Sequence, residues 1–178
     1  MKNTFLKHLG LFVIVAFVGI LINSCGEDTI ITNDPPSTPD TACTDSTLTG
    51  RMIKGRITFV DTNFVRSGGV YLISAYPKAS WPPTSGPSAY DTVRINGTNL
   101  NYCYTLSNLP ADGAYVVSVG FRKNSGGQSP IMSIFGCDTL HSLTCLFSPS
   151  DSAVISGGVG VRYINMISWS NKKKKIVF

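Results

Sequence analysis

The chain has 178 residues, 43% of them hydrophobic and 14% charged, with 17 Gly and 10 Pro. That composition belongs to a folded protein and excludes disorder throughout. The net charge of +5 is unevenly spread: residues 25–50 hold five carboxylates and no Lys or Arg, while residues 51–178 hold thirteen of the fifteen Lys and Arg against five Asp.

At the amino terminus Lys2, Lys7 and His8 precede Leu9 to Ile22, fourteen residues without a charge. A charged stretch followed by a short apolar run is the pattern of a secretory signal. A spanning helix needs about 20 apolar residues to cross the hydrocarbon core, so this run predicts a removed signal, residues 1–24, and not a permanent anchor. Ile22-Asn23-Ser24-Cys25 resembles a bacterial lipobox, with an aliphatic residue three positions before an obligatory cysteine and a small residue directly before it. The resemblance implies a diacylglyceryl group on the Cys25 sulfur, cleavage before Cys25 and acylation of the freed amine. Each buried methylene contributes about 0.8 kcal/mol, so two or three chains hold a protein on a membrane where one holds it marginally. Gly26 stands where some inner-membrane lipoproteins carry a retention Asp, and Glu27-Asp28 is similar to the acidic tether of lipoproteins sent to the outer face of the outer membrane. The expected location is the outer membrane of a bacterial envelope.

Residues 25–50 follow, with Glu27, Asp28, Asp34, Asp40 and Asp45 among Thr, Pro and Ser and with no amphipathic period. They predict an extended acidic linker. About 25 flexible residues have an end-to-end distance of roughly 25 to 30 Å. Cys43 is the one residue of the linker that argues for a fixed contact.

From residue 51 to residue 178 the dominant signal is alternation of apolar and polar residues, bounded by clusters of Gly, Pro, Asn and Asp. In "MIKGRITFV" Ile53, Gly55, Ile57 and Phe59 share one face, and Lys54, Arg56 and Thr58 the other. "VYLISAYP" follows the "RSGG" turn. "YDTVRIN" precedes Gly97, which predicts a hairpin into "NLNYCYTL", where Leu100, Tyr102, Tyr104 and Leu106 share a face. "AYVVSVGFR" alternates Tyr115, Val117, Val119 and Phe121, and "VRYINMISW" alternates Val161, Tyr163, Ile167 and Trp169 around Asn165. Seven to nine short strands without a convincing helix after residue 25 predict an all-β fold, an antiparallel Greek-key β-sandwich of transthyretin-like or immunoglobulin-like type.

Two stretches, "GRITFVDTNFVRSGGVYLISAY" and "YTLSNLPADGAYVVSV", resemble the carboxypeptidase regulatory-like, transthyretin-like sandwich modules. In that family a G-x-V/I strand, a loop and a second strand are followed by L-x-x-L-P-x-G-x-Y and a further strand. "LSNLPADGAY" matches with one extra residue, Asp112. The resemblance implies a module that assists folding, attachment or binding and carries no catalysis.

Candidate chemistry is sparse. Beyond the signal the only histidine is His141, the domain's carboxylates (Asp61, Asp91, Asp112, Asp138 and Asp151) are scattered, and none of the common nucleophile, zinc-protease, phosphate-loop or dinucleotide motifs is present. The expectation is no enzyme, no cofactor and no metal. "CDTLHSLTC" offers Cys137, His141 and Cys145 as zinc ligands with Asp138 as a fourth, but it lacks the C-x-x-C knuckle. In an oxidising envelope a disulfide between Cys137 and Cys145 is the simpler outcome. With Cys25 lipidated, Cys43 and Cys103 remain, and their pairing would tie the linker to the sheet.

"YPKASWPPTSGPSAY" holds Trp81 between Ser80 and two prolines, with Tyr76 and Tyr90 at the ends of the stretch. Aromatic faces on a stiff loop can stack on sugar rings; the structural alternative has Trp81 capping an open end of the sandwich. Lys54 and Asn165 suggest a crosslinked surface sandwich, but no Glu in the domain could serve the reaction as its acid. Lys172 to Lys175 guard a terminal edge against strand pairing, or touch anionic headgroups. The remaining basic residues are scattered over strands, so nucleic acid is not an expected partner. The sequence thus predicts an envelope lipoprotein with a structural or binding sandwich, meeting the membrane through lipid on Cys25 and an envelope protein or glycan as its partner. The alternative is a glycan-binding accessory lipoprotein using Trp81, Tyr76 and Tyr90.

Overall fold

In a computed structural model the described residues are Cys43, 47–127, 129–137 and 143–171. The expected signal (residues 1–24), Cys25, the acidic residues of the expected linker, Asp138, His141 and Lys172 to Lys175 lie outside them. The strands are β1 (Ile53–Phe59), β2 (Gly69–Pro77), β3 (Ala89–Val93), β4 (Asn101–Leu106), β5 (Gly113–Lys123), β6 (Ile131–Ile134), β7 (Ala153–Ile155) and β8 (Met166–Ser168). A 3-10 turn, Lys78–Ser80, follows β2, and a five-residue helix, α1 (Leu143–Phe147), lies between β6 and β7. This helix departs from the all-strand expectation.

Two sheets pack into an all-β sandwich. The smaller has the order β4-β1-β8; the larger has the order β3-β2-β5-β6, with β7 also pairing with β5. Alternation explains the arrangement. Ile53, Ile57 and Phe59 of β1, Tyr104 and Leu106 of β4, Tyr71 and Ile73 of β2, and Tyr115, Val117, Val119 and Phe121 of β5 join one core cluster. At one end of that core Phe59, Phe64, Tyr71, Tyr102 and Phe121 meet edge to face, with ring centroids 5.1 to 6.4 Å apart.

The sequence expectations fail at three places. β3 and β4 do not form a hairpin: β3 pairs with β2 and β4 with β1, so the chain crosses between sheets around Gly97. Asp91 on β3 closes that side by accepting hydrogen bonds from the Thr105 N–H at 3.0 Å and the Thr92 N–H at 2.7 Å. β8 joins β1 in parallel, whereas all other strand pairs are antiparallel. Over residues 163–168 the face is also shifted by one: Ile164, Met166 and Ser168 are buried while Tyr163 and Ile167 are exposed, although Val161 and Trp169 pack against the core as expected. Val161 bridges Ile53 and Met166 partners Ile57, so this strand carries one more residue than β1 over the same span. Tyr163, at φ 63°, is the left-handed residue within that span, and an extra residue exchanges the two faces of a strand.

Gly55 permits the close approach of this strand. A Cβ at Gly55 would lie 2.0 Å from the Ile164 carbonyl oxygen and 3.0 Å from the Tyr104 hydroxyl, which donates to the same carbonyl at 2.6 Å. Burial of Tyr104 pushes its hydroxyl pKa well above the usual tyrosine range. Asn165 is engaged on the other side of the strand, its Oδ1 accepting from the Arg56 N–H at 2.9 Å.

The "LSNLPADGAY" stretch forms a tight corner. Leu106 and Leu109 enter the core, Asn108 sits at φ 58°, and the Tyr115 hydroxyl donates back to the Ala111 carbonyl at 2.8 Å. Asp112, the extra residue, accepts from Arg51 Nε at 2.7 Å and from the Gly158 N–H at 3.1 Å. It thereby fastens the start of the domain and the 157–158 turn to the corner. Its carboxyl is held below the ordinary Asp range, first by the Arg51 hydrogen bond and then by the Gly158 N–H.

Candidate functional site

The outer face of the larger sheet carries a run of adjoining hollows. Cα register sets its side chains in rows: Thr92, Leu72 and Gly120 across β3, β2 and β5, then Tyr90, Ser74 and Ser118 beside them. Small residues occupy the middle of this face, and Ser74 and Ser118 are buried despite facing away from the core. The taller Tyr76 and Tyr90 stand around that low floor. A groove of about 280 Å³ results, lined also by Leu72, Arg122, Ser129 and Ile131, with Gly86 and Pro87 on its wall.

The groove continues along the strands. A second hollow of about 290 Å³ shares Leu72, Tyr90 and Arg122 with the first and adds Val70, Thr92, Lys123 and Asn124. A third, of about 430 Å³, shares Val70 and Thr92 with the second and reaches Arg94 and Arg66. Together they form a trough from Tyr76 to Val70, about 20 Å at the rise of an extended strand.

Beside the trough the same sheet face is covered. Val116 and Ile134 are fully buried yet stand outside the main core cluster. The Lys78–Ser88 loop and α1 are secured together there: Trp81 Nε1 donates to the Leu146 carbonyl, and the Trp81 ring meets Tyr76 edge to face at 5.6 Å. The Trp81–Pro82 peptide is cis. Trp81 is therefore a latch between loop and helix, and it is not among the residues packed on the core. Of the three aromatic residues singled out in the sequence, Tyr76 and Trp81 come together, while Tyr76 and Tyr90 line the groove without Trp81.

Both cysteine pairs are within bonding distance. Cys43 is bonded to Cys103 on β4, and Cys137 to Cys145 in α1. The latter bridge ties α1 to the segment that leaves β6. Among the described residues no group of three His, Cys, Asp or Glu is placed to hold a metal. No helix among them is long and apolar enough to cross a membrane.

The described carboxylates have structural partners. Asp61 accepts from the Asn63 N–H at 2.9 Å and from the Ser170 hydroxyl, and the Ser170 carbonyl accepts from the Tyr71 hydroxyl. Asp91 and Asp112 are engaged as described, and Asp151 packs against Gly136. Arg122 and Arg94 were not singled out by sequence reasoning. They are 28 positions apart, and only strand pairing brings them to one surface.

No family model, curated protein or solved structure matches the chain.

Proposed function

We propose that this chain is a bacterial outer-membrane lipoprotein, held by lipid on Cys25, whose β-sandwich is a structural or binding module without catalysis. The observation that carries the binding role is the trough on the larger sheet, an open, concave face floored by Ser74 and Ser118 and flanked by Tyr76 and Tyr90. The engagement of Asp61, Asp91 and Asp112 in holding loops and sheets supports binding over acid–base chemistry, which requires such groups at a site. Likeness to the carboxypeptidase regulatory-like modules adds support through the Leu109, Tyr115 corner.

Attachment is tested by metabolic labelling with an alkyne fatty acid. Wild-type protein takes the label and partitions with membranes, and Cys25→Ala loses both. An unlabelled wild-type protein refutes the lipid anchor. The alternative is a glycan-binding accessory lipoprotein using Trp81, Tyr76 and Tyr90; the contact of Trp81 with Tyr76 and the groove shared by Tyr76 and Tyr90 support it.

A further inference from the structure

We infer that the trough binds an anionic glycan, a saccharide chain bearing carboxylate or phosphate groups. The inference deepens the binding-module reading and rests on it.

Charge gives the first argument. Val70 and Arg122 are register partners, and alternation along the chain leaving β3 sets Arg94 on the face of Tyr90 and Thr92, beside Val70. The two arginines thus stand two strands apart, about 10 Å at ordinary strand spacing. Both are exposed, and neither guanidinium has a hydrogen-bond or ion-pair partner among the described residues. No carboxylate lines any of the three hollows. The Asp residues of the surrounding structure are committed elsewhere, so the positive field of this face is not neutralised locally. Arginine presents a planar fork of donors that matches carboxylate and phosphate oxygens.

Shape and chemistry supply the second argument. Tyr90 is 62% exposed on an ordered strand, a large amphipathic surface held at small entropic cost. With Tyr76 it flanks a floor of serine residues, so ring stacking is available beside hydroxyl hydrogen bonding. A polymer of sugar rings can run along the 20 Å trough, stack on tyrosine and place acidic groups on Arg94 and Arg122. A planar lipid surface would not enter a concavity walled by Gly86, Pro87 and Asn124.

The test measures binding of the full chain, purified in an uncharged detergent, to polygalacturonate, to its carboxyl-reduced counterpart and to a phosphomannan. Saturable binding to either acidic polymer, weaker in high salt and at least tenfold weaker to the reduced one, is the expected result, and the preferred acidic polymer identifies carboxylate or phosphate as the recognised group. Arg94→Gln with Arg122→Gln lowers affinity at least tenfold, and Tyr90→Ala lowers it several-fold, at unchanged melting temperature. Lys78→Gln, on the 3-10 turn outside the trough, leaves it unchanged. Equal binding to the reduced polymer, binding to neither acidic polymer, or full affinity in the double arginine variant each overturns the inference. Absence of binding with the Cys25 label intact overturns this inference alone, whereas loss of the label with binding retained overturns only the lipid anchor.

Discussion

Replacing Gly55 by Ala tests how β1 and β4 of the smaller sheet hold residues 161–168. The new Cβ would lie 2.0 Å from the Ile164 oxygen, a backbone atom that cannot rotate away as a side chain would. Overpacking of this kind costs about 1 to 3 kcal/mol. Displacing Ile164 also stretches the 2.6 Å bond from the Tyr104 hydroxyl, which is 2% exposed, and a net hydrogen bond is worth about 1 kcal/mol. The expected total is about 2 to 4 kcal/mol, a fall in Tm of roughly 6 to 16 °C for a domain of this size. Urea unfolding of oxidised protein measures it, and a double-mutant cycle with Tyr104→Phe gives the sharper result. Tyr104→Phe should cost less in the Gly55→Ala background, because the bond it removes is already weakened. A Gly55→Ala variant within 0.5 kcal/mol of wild type, or strictly additive variants, would refute the reasoning.

Two further outcomes follow from the same structure. Intact mass after alkylation without reductant should show no added label on Cys43, Cys103, Cys137 or Cys145; opening the shorter loop, of separation 8, should cost about 2 to 3 kcal/mol, and opening the longer, of separation 60, about 4. Four alkylated thiols would sink both pairings. Asp112 has its folded pKa depressed, so its contribution to stability is present above the ordinary carboxyl pKa and is lost as pH falls through the folded value. The Tm advantage of wild type over Asp112→Asn should therefore hold at neutral pH and shrink below about pH 4, and a constant difference from pH 7 to pH 3 would contradict the assignment.

The inward faces of β1, β2, β4 and β5 were legible because alternation there is regular and the buried residues are large and apolar. Alternation misplaced Tyr163 and Ile167 because a left-handed Tyr163 reverses the faces over 163–168, and tyrosine carries no local signal for positive φ. On β5, Val116 reads as outward by alternation, yet it is fully buried outside the main core cluster. Gly97 signals a turn equally well for a hairpin and for a crossing between sheets, since pairing partners are a tertiary choice. The trough was illegible for the same reason: its low floor arises where Ser74 meets Ser118, and its charge arises where Arg94 and Arg122 flank Val70. Trp81 was visible as unusual, but its partner, the Leu146 carbonyl, lies 65 residues away.

The Cys43–Cys103 bridge also decides how mechanical load enters the sandwich. Tension arriving along the chain from the amino-terminal side meets a covalent junction at Cys43 and passes directly to β4. The intervening residues, which include all of β1, β2 and β3, form a closed loop that this tension bypasses. β1, the central strand of its sheet, is therefore not the strand that would be peeled first by a pull from the amino-terminal side. A pull from the amino-terminal side is therefore carried to β4 while the paired strands β2, β3 and β5 keep their register.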